Sequence, residues 1–374
     1  MKICFVLEYY APHVGGGETL FSSLAQGLAA KGHACSVVTA KTAGTEAQET
    51  LNGVAVNRVA VPQKIDRHAF TLLALPKALA ACKRADVIHT MTYNAAPLAW
   101  LVGKILKKPV VLSAHEVLGK LWFKAGLAPA QARFFKLAED ALLSLCFDAY
   151  SCNSQSTLNA LAARGIDKNR LHLVYPGVDH ELFSPSKKGR REKVRRDLNI
   201  PPEAFVCMYF GRPGVFKALQ NLVEAASIAS DKIANFGLVL ILSRQPTKQF
   251  QRIKALAASA RPGLVRILAP VPRQNLPHLV GMADCVCVSS LSEGFGFTAA
   301  EAISMDIPVV ATRAGSLPEV VSSLHLLVEP GSAKALADGL VQAYEGRFAH
   351  RPKRLFPVKE MVEKHEKLYR DLLK

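Results

Sequence analysis

The chain has 374 residues, half of them apolar and only 7% aromatic, which is enough for two domains with separate cores and unlike a disordered or low-complexity chain. Lys and Arg number 47 against 30 Asp and Glu, a net charge of +17 spread over both halves of the sequence, so an anionic partner is expected. No apolar run reaches the roughly 18 residues that span a bilayer, the opening run Ile3 to Leu7 is too short for a signal-peptide core, and the eight cysteines form no paired C-x2-C pattern. A cytoplasmic protein with buried free thiols is the reading.

Ile3 to Leu7 is a first buried strand, followed by a Gly/Pro-rich turn from Pro12 to Gly17 and a helical pattern of Leu20, Leu24 and Leu28 that Lys31-Gly32 stops. Cys35 to Thr39 makes a second strand, closing a β-α-β unit. Val87 to His89, Val110 to Ser113, Ala149 to Cys152 and Leu171 to Val174 continue the alternation, which predicts a parallel sheet covered by helices on both faces. A Pro-, Gly- and charge-rich stretch from Tyr175 to Pro202 interrupts the pattern. A second alternating set then runs through Val206 to Phe210, Leu238 to Leu242, Val265 to Leu268, Cys285 to Val288, Val309-Val310 and Leu326 to Val328. The expected architecture is α/β, with doubly wound domains over 1–180 and 181–357. A terminal amphipathic helix over 358–374 presents Met361, Val362, His365, Leu368 and Tyr369 on one side. The basic run from Lys187 to Arg196 reads as a solvated linker and helix face, or as a contact for nucleic acid or anionic lipid.

The segment from Ser289 to Glu301 carries the most chemistry. It follows a buried strand and opens a helix, so its Gly294-Phe295-Gly296 turn offers backbone amides and the positive end of a helix dipole to a diphosphate. Glu293 in the loop and Glu301 on the helix are eight residues apart, and carboxylates accept paired hydrogen bonds from sugar and ribose diols. Arg212 and Lys217 likewise follow a strand and enter a helix, where two cations neutralise charge developing on a leaving diphosphate.

These residues resemble the E-x7-E motif of the retaining GT-B glycosyltransferases of family four. The likeness covers nearly the whole chain: Pro12 to Glu18 as P-x-x-G-G-x-E, Gly32-His33, Asn153-Ser154, Gly177-Val178-Asp179 with Phe183 and Pro185, Gly211-Arg212 with Lys217, Ala283-Asp284, and Leu317-Pro318-Glu319-Val320. The resemblance implies a GT-B fold of two Rossmann-like domains facing a central cleft, with the terminal helix crossing back to the N-terminal domain and hinges near 177–185 and Pro357. It implies transfer of a sugar from a nucleotide-sugar to an acceptor hydroxyl, with retention. Glu301 would bind the nucleotide ribose, Glu293 the donor sugar beside the amides of Gly294, Phe295 and Gly296, and Arg212 and Lys217 the diphosphate. Gly15 and Gly16 would let the first turn approach the diphosphate and sugar, and His115 would lie near the reacting sugar. Val271, in the loop from Ala269 to Pro272, would border the base through backbone groups. Two departures stand out. Ala218 occupies a place where the family usually has Gly, and Ser243-Arg244-Gln245-Pro246 replaces a Gly-Asp-Gly-Pro-like turn, with Arg244 either a phosphate contact or solvated.

No Asp has another Asp two residues on, so the D-x-D metal-diphosphate signature is absent and neither a metal nor another cofactor is expected. There is no P-loop, and Leu20 stands where the third Gly of a dinucleotide fingerprint belongs. For the acceptor, apolar residues between His68 and Phe135 (Phe70, Leu72, Leu73, Trp100, Phe123 and Phe134 among them) are interleaved with lysines and arginines. That pattern reads either as a surface for an anionic leaflet and a lipid-linked, glycolipid or polysaccharide precursor, or as core faces with solvated lysines outside. The expected enzyme is thus cytoplasmic or peripheral on the cytoplasmic membrane face, with no specific nucleic-acid partner. The alternatives are a sugar-phosphate synthase, a nucleotide-sugar epimerase and, more distantly, a nucleic-acid-binding protein.

Overall fold

Buried parallel strands need apolar runs covered on both faces by helices, and the chain supplies two such sets. A computed structural model describes all residues except Val14 and 63–65, with the side chains of 66–69 also outside the description. Val14 of the Pro12–Glu18 turn and the side chain of His68 therefore lie outside the described residues. The chain divides into two units, Met1–Gly177 with Pro357–Lys374, and Val178–Phe356. The division thus falls at Gly177, three residues before the 1–180 boundary read from the sequence.

In the first unit, strands β1 (Lys2–Val6), β2 (Ala34–Ala40), β3 (Gln48–Leu51), β4 (Val54–Val59), β5 (Val87–Met91), β6 (Val110–Ala114), β7 (Ala149–Cys152) and β8 (Leu171–Leu173) form one sheet. Their order is β3-β4-β2-β1-β5-β6-β7-β8. All neighbours are parallel except β3 on β4. Helices α1 (Gly16–Ala30), α2 (Asp66–Leu73), α3 (Leu75–Cys82), α4 (Ala96–Leu106), α5 (Pro129–Ser144) and α6 (Gln155–Ala162) connect them. The β3–β4 hairpin is absent from the strands read above. Its signal is Asn52-Gly53, both at positive φ (48° and 80°), the backbone that a tight hairpin turn requires.

The second unit repeats the plan with β9 (Phe205–Gly211), β10 (Phe236–Leu242), β11 (Val265–Leu268), β12 (Cys285–Val288), β13 (Val309–Thr312), β14 (Ser323–Val328) and β15 (Ala349–Arg351), ordered β11-β10-β9-β12-β13-β14-β15. Here α7 (Arg191–Asp197), α8 (Leu219–Ala229), α9 (Thr247–Ser259), α10 (Leu276–Val280), α11 (Phe297–Ser304), α12 (Leu317–Val320) and α13 (Ala333–Tyr344) lie between strands or before the first. Each sheet reverses its winding once, between β1 and β5 and between β9 and β12. Such a reversal splays the connections apart and opens a crevice at the carboxyl ends of the two strands.

Helix α14 (Val358–Leu372) returns to the first unit, and all five residues expected on its inner face are buried. Beneath it, His365 Nε2 lies 2.9 Å from Ser151 Oγ, and His89 bridges Tyr369 Oη (2.5 Å) and Ser113 Oγ (2.9 Å). At the rim, Glu366 pairs with Lys31, His33 and Arg370. Burial holds the His365 imidazole down to about 4 and pushes His89 well below the usual histidine range, so both are neutral under the helix.

One expectation needs correction. The 187–196 run is not simply a solvated face: Arg195 is buried, donating to Asp284 and to the carbonyls of Met282, Pro202 and Ala204, and Arg191 also bonds Asp284. Burying a guanidinium costs little only when its donors are met, and these carbonyls meet them. Phe70, in the pattern read above either as a surface or as a core face, is fully buried in the first core, as the second of those readings has it. Leu72, Leu73, Leu101, Ile105, Phe123, Phe134 and Leu137 are exposed. All eight cysteines are free, and Cys146 alone among them is exposed.

Candidate functional site

The reversal between β9 and β12 sets Lys217 and Glu293 side by side. Lys217 ends a 3-10 turn (Val215–Lys217) just past β9, and Glu293 lies in the loop between β12 and α11. The two loops are tied together, the Leu291 amide donating to the Phe216 carbonyl (2.7 Å) and Ser289 Oγ to the Lys217 carbonyl (2.8 Å). Across this junction Lys217 Nζ donates to both Glu293 oxygens, at 2.7 and 2.8 Å, and Ser290 Oγ adds a third bond at 2.9 Å. The Glu293 backbone is clamped from β13: the Ser316 amide and hydroxyl both donate to its carbonyl (3.0 and 3.1 Å), and Gly315 packs against it at φ +54°. A side chain at 315 would put its Cβ 2.2 Å from that carbonyl oxygen.

Gly294, Phe295 and Gly296 complete the turn into α11. Gly296 caps the helix at φ +92°, and Phe295 turns its ring inward against Phe297 and Phe356. Glu293 therefore is not the helix cap. Thr298 Oγ1 donates to the Phe210 carbonyl, fixing the start of α11 to the end of β9. Glu301, one turn in, is 4% exposed and receives Arg273 Nη2 at 2.8 Å. Burial pushes its carboxyl up, Arg273 pulls it back, and the Asp179 charge adds to the rise. Arg273 follows the Ala269–Pro272 loop that carries half-buried Val271, and its guanidinium lies over the Phe183 ring at 5.1 Å. Arg212 is exposed just past β9. Burial raises the phenol of neighbouring Tyr209 to about 12, with Lys217 and Arg212 lowering it and Glu293 raising it, so these charges share one electrostatic neighbourhood. Ala218 is fully buried and left-handed (φ +48°), a backbone that glycine adopts without cost.

In the first unit, the other predicted residues gather at the carboxyl ends of β1 and β6. Gly15 caps α1 and Gly16 begins it; a Cβ on Gly15 would meet the Glu18 carboxylate at 2.2 Å. His115 follows β6, and burial holds its imidazole down to about 4 against the opposing pull of Glu18. Among the described residues its Nε2 is buried without a hydrogen-bond partner. Asn153, after β7, donates through Nδ2 to the His115 carbonyl (2.8 Å) and leaves its own buried Oδ1 unpartnered among the described residues. Gly15, Gly16 and His115 thus belong to one unit, and Arg212, Lys217, Val271, Glu293, Gly294, Phe295, Gly296 and Glu301 to the other. Arg273 and Gly315 were missed as site residues because their partners are set by loops from other strands, and Ser290 because the conformation of its own loop, not its spacing, turns its hydroxyl onto Glu293. No described cluster of His, Cys, Asp and Glu has the makings of a metal site.

Two doubly wound α/β units, each with its predicted site residues gathered at the winding reversal, are the plan of the GT-B class. Residues 14–182 match the description Glycosyltransferase Family 4, and residues 190–355 match Glycosyl transferases group 1. A D-inositol 3-phosphate glycosyltransferase 1 of Catenulispora acidiphila is 30% identical over 294 residues, 73% of this chain and 68% of that protein. The chain belongs to glycosyltransferase family 4. It spans less than two thirds of the length of the D-inositol 3-phosphate glycosyltransferases of Corynebacterium species that it also matches. Among solved structures, sucrose-phosphate synthase from Thermosynechococcus elongatus superposes with a TM-score of 0.78 at 23% identity, covering 99% of this chain and 98% of that one. Anabaena HepE in complex with UDP-glucose gives 0.75 at 20% identity, covering 98% and 99%.

Proposed function

We propose that this protein is a retaining, metal-independent glycosyltransferase that moves a sugar from a nucleotide-diphosphate sugar to an acceptor hydroxyl. The observation that carries the reading is the Lys217–Glu293–Ser290 cluster, set beside the Gly294–Gly296 turn with Glu301 one helical turn away. Cations and helix-start amides are what a diphosphate requires, and carboxylates are what the diols of a sugar and a ribose require. In this mechanism Arg212 and Lys217 neutralise the leaving diphosphate, and Glu301 accepts from the ribose. Glu293, the amides of Gly294, Phe295 and Gly296, and neutral His115 orient the sugar, while Gly15 and Gly16 allow close approach of the first turn and Val271 borders the base. The acceptor oxygen attacks the anomeric carbon on the face from which the diphosphate departs. The bond from that carbon to the phosphate oxygen breaks as the new glycosidic bond forms, and a donor phosphate oxygen takes the acceptor proton. Catalysis is positional and electrostatic. Thermal unfolding with UDP, GDP, ADP and CMP tests the site. At about 100 times its dissociation constant a ligand stabilises by about 2.7 kcal/mol, and Glu301→Ala is expected to abolish the shift. No shift from any nucleotide at millimolar concentration would refute the donor site.

For the acceptor, we propose a lipid-linked, glycolipid or polysaccharide precursor met at an anionic leaflet by a cytoplasmic enzyme. Exposed Phe123, Phe134 and Leu137 beside Lys120, Lys124 and Arg133 support peripheral docking. No described helix is long and apolar enough to cross a membrane. Flotation with phosphatidylglycerol vesicles decides: salt-sensitive binding lost in Phe123→Ser/Phe134→Ser supports it, and no binding sinks it. A second reading is favoured by the relatives named above, one a D-inositol 3-phosphate glycosyltransferase and one a sucrose-phosphate synthase. Under it a small phosphorylated polyol suffices, and turnover with inositol 3-phosphate or fructose 6-phosphate in lipid-free solution identifies that case.

A further inference from the structure

The site holds its cation and its carboxylate against each other. Lys217 Nζ spans both oxygens of Glu293, whose side chain is only 11% exposed, while the lysine side chain is 31% exposed and sits on a short 3-10 turn. Separating the two is costly unless each finds a new partner, because an ion removed from a buried pair leaves the other desolvated and unmet. An intact nucleotide-sugar supplies both partners at once, phosphate oxygens for the ammonium and hydroxyl donors for the carboxylate. The nucleoside diphosphate left after transfer supplies only the first.

We propose that Glu293 is a product-ejecting residue: once the sugar has left, it reclaims Lys217 from the nucleoside diphosphate and so weakens the product relative to the donor. The proposal rests on the donor-site reading above. It also explains the construction of the loop. Ser290 Oγ and the Ser316 and Gly315 clamp fix Glu293 from its own loop and from the next, so the partner that moves in the exchange is the more exposed lysine. The exchange breaks and forms only hydrogen bonds and an ion pair, with no proton or covalent change.

The consequence runs opposite to that of an ordinary binding residue. Glu293→Gln is expected to tighten the nucleoside diphosphate by about tenfold, a 1.4 kcal/mol change, while weakening the nucleotide-sugar by at least as much. Isothermal titration with UDP, GDP and ADP, and with UDP-glucose, GDP-mannose and ADP-glucose, reads both quantities. Lys217→Met is expected to weaken the diphosphate and to make it indifferent to the state of residue 293, because the effect passes through the lysine. Ser290→Ala, which loosens the carboxylate without removing it, is expected to shift both ligands in the same directions by a smaller factor, and serves if Glu293→Gln does not fold. If the wild type binds nucleoside diphosphates and Glu293→Gln leaves them unchanged or weakens them, ejection is refuted while the donor site stands. If it tightens diphosphate and nucleotide-sugar alike, simple removal of negative charge is at work and the proposal fails. If the wild type binds none of the six ligands, the donor site fails and the proposal with it.

Discussion

Replacing His365 by glutamine removes a titrating group from the interface between α14 and the first sheet without removing its polar character. The wild-type imidazole is held at about 4 by burial, against 6.5 for the free side chain. A folded pKa below the unfolded one means that the unfolded chain binds the proton first. Stability is therefore full above about pH 7, declines from pH 6.5, and continues to fall until the folded group titrates near 4. Between pH 7.5 and 5 the unfolded imidazole takes up its proton over about 1.5 pH units while the folded one stays neutral, which at 1.36 kcal/mol per unit costs the fold about 2 kcal/mol. The variant lacks this slope. At pH 7.5 it is less stable than wild type by about 1–2 kcal/mol, through the altered bond to Ser151, and by pH 5 the difference has closed or reversed. The groups facing His365 are His89 on β5, Ser151 on β7, and Tyr369 and the Met361 carbonyl on its own helix, the last opposing the effect of burial. The His365 charge also depresses His89, but it appears only as the pH nears 4 and so lies outside this window. Both tryptophans, Trp100 and Trp122, belong to the first unit, so urea unfolding followed by tryptophan fluorescence reports that unit alone. Wild type and His365→Gln losing stability in parallel between the two pH values would refute the reasoning.

Arg273→Met leaves the Glu301 carboxylate buried without its counter-ion, so its pKa rises further and the charged form is recovered only as pH increases. Nucleotide-sugar KM is expected to rise at least tenfold at pH 7 and to improve with alkalinity more steeply than in wild type, with Arg273→Lys retaining part of the effect; superimposable pH profiles would contradict this role. Gly315→Ala forces a left-handed alanine whose Cβ lies 2.2 Å from the Glu293 carbonyl oxygen. Strain and overpacking together predict a loss of about 2–4 kcal/mol in the second unit, visible by calorimetry, along with the loss of nucleotide-induced stabilisation; an unchanged transition with intact binding would count against the clamp.

The strands beside the winding reversals were legible because each is an apolar run closed by Gly, Pro or a polar turn, a local property of the chain. The hairpin was equally local, signalled by Asn52-Gly53, but its strands alternate weakly and β3 is half exposed, so hydropathy alone passed over it. The edge strand β15 is exposed throughout, with no pattern to find. Glu293, Glu301, Arg212 and Lys217 were singled out because a strand end followed by a helix start is readable along the chain.

Their pairing was not readable. Lys217 meets Glu293 across 76 residues, Arg273 meets Glu301 across 28, and Arg195 in a run of charges becomes a buried residue only through Asp284, 89 positions on. Periodicity and turn chemistry act over a few residues and so determine which segments are strands, helices and site-bearing loops. Which charges neutralise one another depends on strand order and on how far each loop reaches across the sheet edge: Lys217 and Glu293 meet because β9 and β12 lie side by side, whereas Arg273 reaches Glu301 from beyond β11, two strands further out. That order is a property of the packed whole, and it decided that the cation and the carboxylate expected to hold different parts of one ligand lie against each other.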